Sequence, residues 1–193
     1  MLLPSILTLL FLIVPLFNNG LGSLEPKPVY SQGQNISDTS SSSLFSSFQS
    51  KAAILDNMPS HNVTVGDIDI AYKQIGKADA KPIILITGGG ATMDMWNPLL
   101  LEKLTSANYK VIIFENRGVG ESTAGKKEFS ISQFANDTSG LLDALRISKA
   151  DVLGWSMGGF IAQQLALTNP DKVDNLILYA TSCGGPDDKP TPP

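Results

Sequence analysis

Four short runs of apolar, largely branched residues limit what this chain can fold into: Pro82–Thr87 (PIILIT), Tyr109–Glu115 (YKVIIFE), Ala150–Trp155 (ADVLGW) and Val173–Ala180 (VDNLILYA). A strand with one face in water alternates apolar and polar residues. A continuous apolar run instead suits a strand covered on both faces, as in a parallel sheet. Segments with helical spacing lie between the runs. Trp96–Ser106 carries Leu99, Leu100 and Leu104 and ends near Asn108, and Ile131–Leu145 carries Ile131, Phe134, Leu141, Leu142 and Leu145. Ser130 and Gln133 resemble a capping box at the start of the second segment. Ser156–Thr168 runs through Phe160, Ile161, Leu165 and Leu167 to Asn169-Pro170, a stop signal. Ahead of these, Val63-Thr64-Val65 and Ile68–Tyr72 alternate around Gly66-Asp67, which predicts an antiparallel hairpin. The expected fold is α/β: a mostly parallel sheet with an antiparallel N-terminal hairpin and helices on both faces.

This domain is expected over residues 61–193. Residues 1–23 have another character: Leu2–Phe17 is almost wholly apolar, broken by Pro4 and Pro15, and small residues follow in Gly20–Ser23. The run is short for a spanning helix, which takes about 20 residues. It resembles the apolar core of a signal peptide or a short anchor, although no Lys or Arg precedes Lys27. Residues 24–60 are rich in Ser, Gln, Asn and Pro, with unbroken serine at 40–43. Such composition buries too little apolar surface to offset its ordering entropy and predicts a disordered linker. The expectation is an extracytoplasmic protein that meets the membrane only through its N-terminal segment. Sequons at Asn35, Asn62 and Asn136 are too common a pattern to add weight.

The 14 basic and 18 acidic residues are mixed along the chain for a net charge of −4. No Lys/Arg cluster marks a phosphate backbone, so nucleic acid is not an expected partner. The single cysteine, Cys183, has no internal disulfide partner, and no residues show metal-ligand spacing. No metal and no cofactor are expected; the expected partner is a small-molecule substrate.

Chemistry points to Gly154-Trp155-Ser156-Met157-Gly158-Gly159, where a predicted strand turns into a predicted helix. G-x-S-x-G is a weak pattern alone, but between a buried strand and a helix it is a nucleophile elbow. The turn is sharp, and side chains at Gly154 and Gly158 would collide with neighbouring backbone. Ser156 is thereby raised at the amino end of a helix, where partial positive charge favours a developing anion. Thr87-Gly88-Gly89-Gly90 follows directly on the strand that begins at Pro82. Acyl transfer needs two backbone donors aimed at one oxyanion. Met157, after the nucleophile, supplies one candidate N–H, and Gly89, supported by Gly88, the other. A phosphate loop would need a lysine and Ser/Thr, or G-x-G-x-x-G, and the loop has neither.

From Pro82 to Tyr179 the chain resembles the N-terminal half of the α/β-hydrolase family. Thr87-Gly88-Gly89 stands where the family has its His-Gly-x oxyanion loop. Phe114–Ser122 (FENRGVGES) resembles the family's D-x-R-G-x-G-x-S turn, and Gly154–Gly159 matches the elbow. Two positions depart: Thr87 replaces the loop histidine, and Glu115 replaces the aspartate while keeping a carboxylate. Arg117 is retained, and the resemblance implies that it braces its turn.

The resemblance also implies a triad in the order Ser, acid, His. The sole histidine, His61, precedes the first strand and is not expected to act as base. Asp187 and Asp188 follow the last run in a Gly/Pro-rich tail and are weak candidates for the acid. The acid and histidine are expected beyond residue 193. The leading expectation is therefore a serine hydrolase acting on a small ester or related carbonyl compound, represented by its N-terminal part. A non-catalytic binding module and a cofactor-free haloperoxidase-like enzyme stay open. A sheet lacking its final strands is also expected to leave an apolar edge uncovered.

Overall fold

The structure, a computed structural model, describes residues 58–183, all within the larger of two compact units, Ser37–Pro193. The expected export segment, nearly all of the expected linker, and Asp187 and Asp188 lie outside the described residues.

The strands are β1 (His61–Val65), β2 (Ile68–Ile75), β3 (Lys81–Ile86), β4 (Tyr109–Phe114), β5 (Ala150–Trp155) and β6 (Val173–Tyr179), and the helices are α1 (Pro98–Ser106), α2 (Ile131–Ala144) and α3 (Met157–Thr168). They form one six-stranded sheet in the order β1-β2-β4-β3-β5-β6. The β1–β2 and β2–β4 pairs are antiparallel, and β4, β3, β5 and β6 run parallel. The expected class therefore holds, hairpin included. The apolar runs at β3, β4 and β5 are buried along nearly their whole length because helices cover both faces. On one face, Phe134, Leu141 and Leu142 of α2 and Ile161, Ala162 and Leu165 of α3 pack on Ile84, Ile112 and Val152. On the other, Leu101 of α1 with Met93 and Trp96 packs on Ile83, Leu85 and Ile113. No described helix is long and apolar enough to cross a membrane.

Four local expectations are corrected. The run Val173–Ala180 is not covered on both faces: Leu176, Ile177 and Leu178 are 39%, 41% and 45% exposed. Among the described residues β6 pairs with β5 alone, so an apolar run here reports what the strand could bury, not what covers it. The helix expected from Trp96 begins at Pro98. Asn97 caps it by accepting from the Leu99 N–H at 2.9 Å, and Pro98 suits the first turn, where its missing donor costs nothing. Trp96 is instead part of the core. The third helix begins at Met157, with Ser156 in the cap position. At α2, Ser130 caps as expected, accepting from the Gln133 N–H at 3.1 Å. The reciprocal half of the box does not form, because the Gln133 amide donates to Asp137 at 2.8 Å.

Candidate active site

The catalytic candidates collect at the carboxyl ends of β3 and β5, neighbours in register from Ile83↔Asp151 to Ile86↔Gly154. The chain leaves β3 through α1 on one face and β5 through α3 on the other. In an open α/β sheet, a crevice forms where crossovers diverge in this way.

Ser156 occupies that point with φ 54° and ψ −120°, a left-handed conformation that costs an L-residue of the order of 1–3 kcal/mol. Three glycines make the turn possible. A methyl group at Gly154 would strike the Gly158 carbonyl, and one at Gly158 would strike the Ile86 and Thr87 carbonyls. One at Gly159 would strike the Thr181 side chain. The Ser156 N–H is used by the Tyr179 carbonyl at 3.0 Å, and its carbonyl accepts from Gly159 at 2.9 Å. The side chain is exposed and makes no capping bond, leaving Oγ outward above the sheet.

The glycine loop after β3 lies against this turn. A Cβ at Gly88 would be 3.3 Å from the Ser156 Cβ and 3.8 Å from Oγ, and one at Gly89 would be 3.5 Å from the Met157 sulfur. Gly89 and Met157, the two expected oxyanion donors, thus stand side by side. Thr87 takes over a structural task at the departed histidine position. Its hydroxyl donates to the Ala91 carbonyl at 3.0 Å, and Asn116 donates to the Thr87 carbonyl and hydroxyl at 3.4 Å each. The loop is closed by side chains, and its glycine N–H groups stay outside those bonds.

Arg117 lies at the centre of a buried network. Its Nε and Nη2 donate to the two Asp137 oxygens at 2.8 Å each. Nη2 also reaches Asp67 at 2.9 Å, and Nη1 the Ala124 carbonyl at 2.9 Å. Asp67 sits in the β1–β2 turn and Asp137 on α2, so one guanidinium ties the hairpin, the loop after β4 and a helix together. The hydrogen bond from Arg117 and then the Lys126 N–H hold the Asp67 carboxyl well below the usual range. The hydrogen bonds that Arg117 donates to Asp137 and Asp67 push its own pKa up despite its burial. Glu115 accepts from the Glu121 N–H at 2.5 Å, closing the same loop with one methylene more than an aspartate has.

Two clefts flank the elbow. One, of about 350 Å³, is lined by Ser156, Phe160, Ala180, Thr181 and Ser182, with no imidazole or carboxylate among them. His61 opens β1, with its ring 5.7 Å from that of Tyr72. Four strand spacings, roughly 19 Å, separate β1 from β5, so His61 does not serve Ser156. The second cleft adjoins Gly89 and Met157 and includes Phe129 and Phe134. Their rings meet edge-on at 5.9 Å. Phe129 just before the Ser130 cap and Phe134 four residues after it form a hydrophobic staple, a pairing visible in sequence but not singled out there.

This geometry has known counterparts. A sequence model of the alpha/beta hydrolase fold matches residues 81–192, more than half of the chain, and the chain belongs to that family. It is 37% identical over 114 residues to the "Putative non-heme bromoperoxidase BpoC" of Mycobacterium tuberculosis, covering 59% of this chain and 42% of that protein. It is 31% identical over 120 residues to 3-oxoadipate enol-lactonase 2 of Acinetobacter baylyi, covering 62% and 44%. Among solved structures, a hydrolase from Pseudomonas aeruginosa superposes with a TM-score of 0.61 at 32% identity, covering 66% of this chain and 48% of that one. The chain thus spans less than half the length of these relatives.

Proposed function

We propose that this chain carries the nucleophile and oxyanion half of a serine hydrolase acting on a small ester or related carbonyl substrate through an acyl-enzyme. The supporting observation is the packing of Gly88 on Ser156 and of Gly89 on Met157 at a serine held in a left-handed turn. In this mechanism Ser156 Oγ adds to the carbonyl carbon, and the carbonyl π pair moves to oxygen. The Met157 and Gly89 N–H groups donate to that oxyanion. A base takes the Oγ proton as Oγ adds and gives it to the leaving oxygen, so collapse expels the alcohol. Water, deprotonated by the same base, then adds to the ester on Ser156. The second collapse returns that proton to Oγ and releases the acid. Each such donor is worth roughly 10²–10³ in rate.

A serine hydroxyl needs an adjacent base to react in this way. We propose that an imidazole and an acid come from sequence corresponding to the part of the relatives that this chain does not span. The apolar run Leu2–Phe17 supports export as a further proposal, which signal-dependent secretion of a reporter fusion checks.

Labelling the full-length protein with a fluorophosphonate tests the nucleophile. One label per chain, lost in Ser156→Ala, is expected; equal labelling of that variant removes the assignment, and absence of any label favours a binding module. The bromoperoxidase name of the 37% identical relative favours a second reading, peroxide-dependent halogenation at the same serine. Bromination of an acceptor in the presence of peroxide and a carboxylic acid, without measurable ester hydrolysis, distinguishes it.

A further inference from the structure

Beside Gly89 and Met157 opens a cleft of about 540 Å³, within the range of small-molecule sites. Val119, Phe129, Ile131 and Phe134 form its apolar wall. Its polar lining side chains have hydrogen-bond partners elsewhere. The Arg117 guanidinium is spent on Asp137, Asp67 and the Ala124 carbonyl. Asn116 donates to Thr87, and the Ser130 hydroxyl oxygen accepts from the Gln133 N–H. Arg117 is the one charged residue among the lining residues, and its side chain is fully buried in its ion pairs.

The wall is also held in shape. Phe129 is stapled to Phe134 and lies over Gly118, where a Cβ would come within 2.8 Å of the ring. Phe129 is nevertheless 60% exposed, an aromatic fixed at the rim of an uncharged recess. Such a surface favours an apolar ligand.

We propose, resting on the serine-hydrolase function above, that this cleft receives the acyl group of the substrate and selects uncharged apolar chains longer than acetyl. An acyl carbon whose oxyanion is held by Gly89 and Met157 carries its chain to a cleft that those same two residues line. Each methylene buried there raises kcat/KM by roughly fourfold. A carboxylate at the chain's end would lose its hydration with no cation to receive it.

Two measurements on the full-length protein test this. Across p-nitrophenyl acetate, butyrate and hexanoate, kcat/KM rises by at least about tenfold, and the mono-p-nitrophenyl ester of adipic acid falls at least about tenfold below hexanoate. Phe129→Ala and Ile131→Trp, which open and fill the cleft, both flatten the hexanoate-to-acetate ratio. In calorimetry, Ser156→Ala protein binds hexanamide at least about tenfold more tightly than acetamide, and Ile131→Trp abolishes the difference. The calorimetric measurement needs no nucleophile, so it judges the cleft even if the serine never labels. Equal binding of the two amides, or an acyl-length ratio unchanged in both variants of a protein that labels at Ser156, overturns the proposal.

Discussion

A methyl group on Gly88 would stand 3.3 Å from the Ser156 Cβ, so the loop after β3 and the turn after β5 touch at the proposed nucleophile. The contact follows from strand pairing: Ile86 is opposite Gly154, and two residues further on each strand come Gly88 and Ser156. Gly88→Ala is tight rather than impossible and moves the serine by a few tenths of an ångström. Fluorophosphonate labelling slows about tenfold, since a displacement near 1 Å costs about a hundredfold. The thermal midpoint shifts by less than about 4 °C.

Gly158→Ala behaves differently. Its methyl meets the Ile86 and Thr87 carbonyls, which belong to the centre of the sheet and do not yield. A loss of about 3 kcal/mol, the upper end for overpacking, is expected. Urea denaturation of the two alanine variants side by side checks the contrast.

Arg117→Leu leaves the buried Asp137 carboxylate without its bidentate partner and destabilises by about 3–5 kcal/mol. Replacing both Arg117 and Asp137 by leucine removes the uncompensated charge and recovers part of that loss. Urea midpoints of the single and double variants measure it.

Acid stability follows from three carboxylates with depressed pKa values. Asp67 is held down by Arg117, and Asp174 by Lys81 and Lys149. Burial pushes Asp151 up, but hydrogen bonds from Lys81, Asn175 and Tyr109 outweigh it. Each contributes stability that is complete above the unfolded value of about 4 and lost as pH falls below it. The thermal midpoint should therefore be flat from about pH 7 to 5 and fall below about pH 4, less steeply in Asp67→Asn. Lys81, raised by Asp174 and then Asp151, acts oppositely: its contribution is complete below about pH 10.4 and fades at higher pH.

The uncovered apolar run of β6 predicts self-association of the 193-residue polypeptide. Leu176, Ile177 and Leu178 stand beside an edge that, among the described residues, pairs only with β5. Light scattering should show soluble aggregates, reduced by Ile177→Lys; a sharp cooperative melt of a monomer would count against this.

Much of the fold was legible before any coordinates. A buried strand must be apolar on both faces, and β3, β4 and β5 are written that way; the elbow glycines lie where side chains would strike backbone. Other features were less visible because they depend on what comes to lie nearby. The apolar run at β6 looks like those of β3 and β5, yet it is half exposed. Gln133 has the residue type and spacing of a capping box, yet it bonds to Asp137, one helical turn on, at the same carboxylate oxygen that Arg117 reaches from the loop after β4. Phe129 carried a staple signal in its spacing from Phe134, but its place in the same cleft lining as Met157 has no local signature.

By itself, the sequence determined the alternation of strand and helix, the hairpin, the cap at Ser130 and the serine turn, since periodicity, chain sterics and short-range hydrogen bonding act within a few residues. Only the tertiary structure decided the strand order that sets Gly88 on Ser156, the convergence of Asp67 and Asp137 on Arg117, and the apolar cleft beside Met157. Those relations join residues far apart along the chain, and they come from packing both faces of one sheet, which no local stretch encodes.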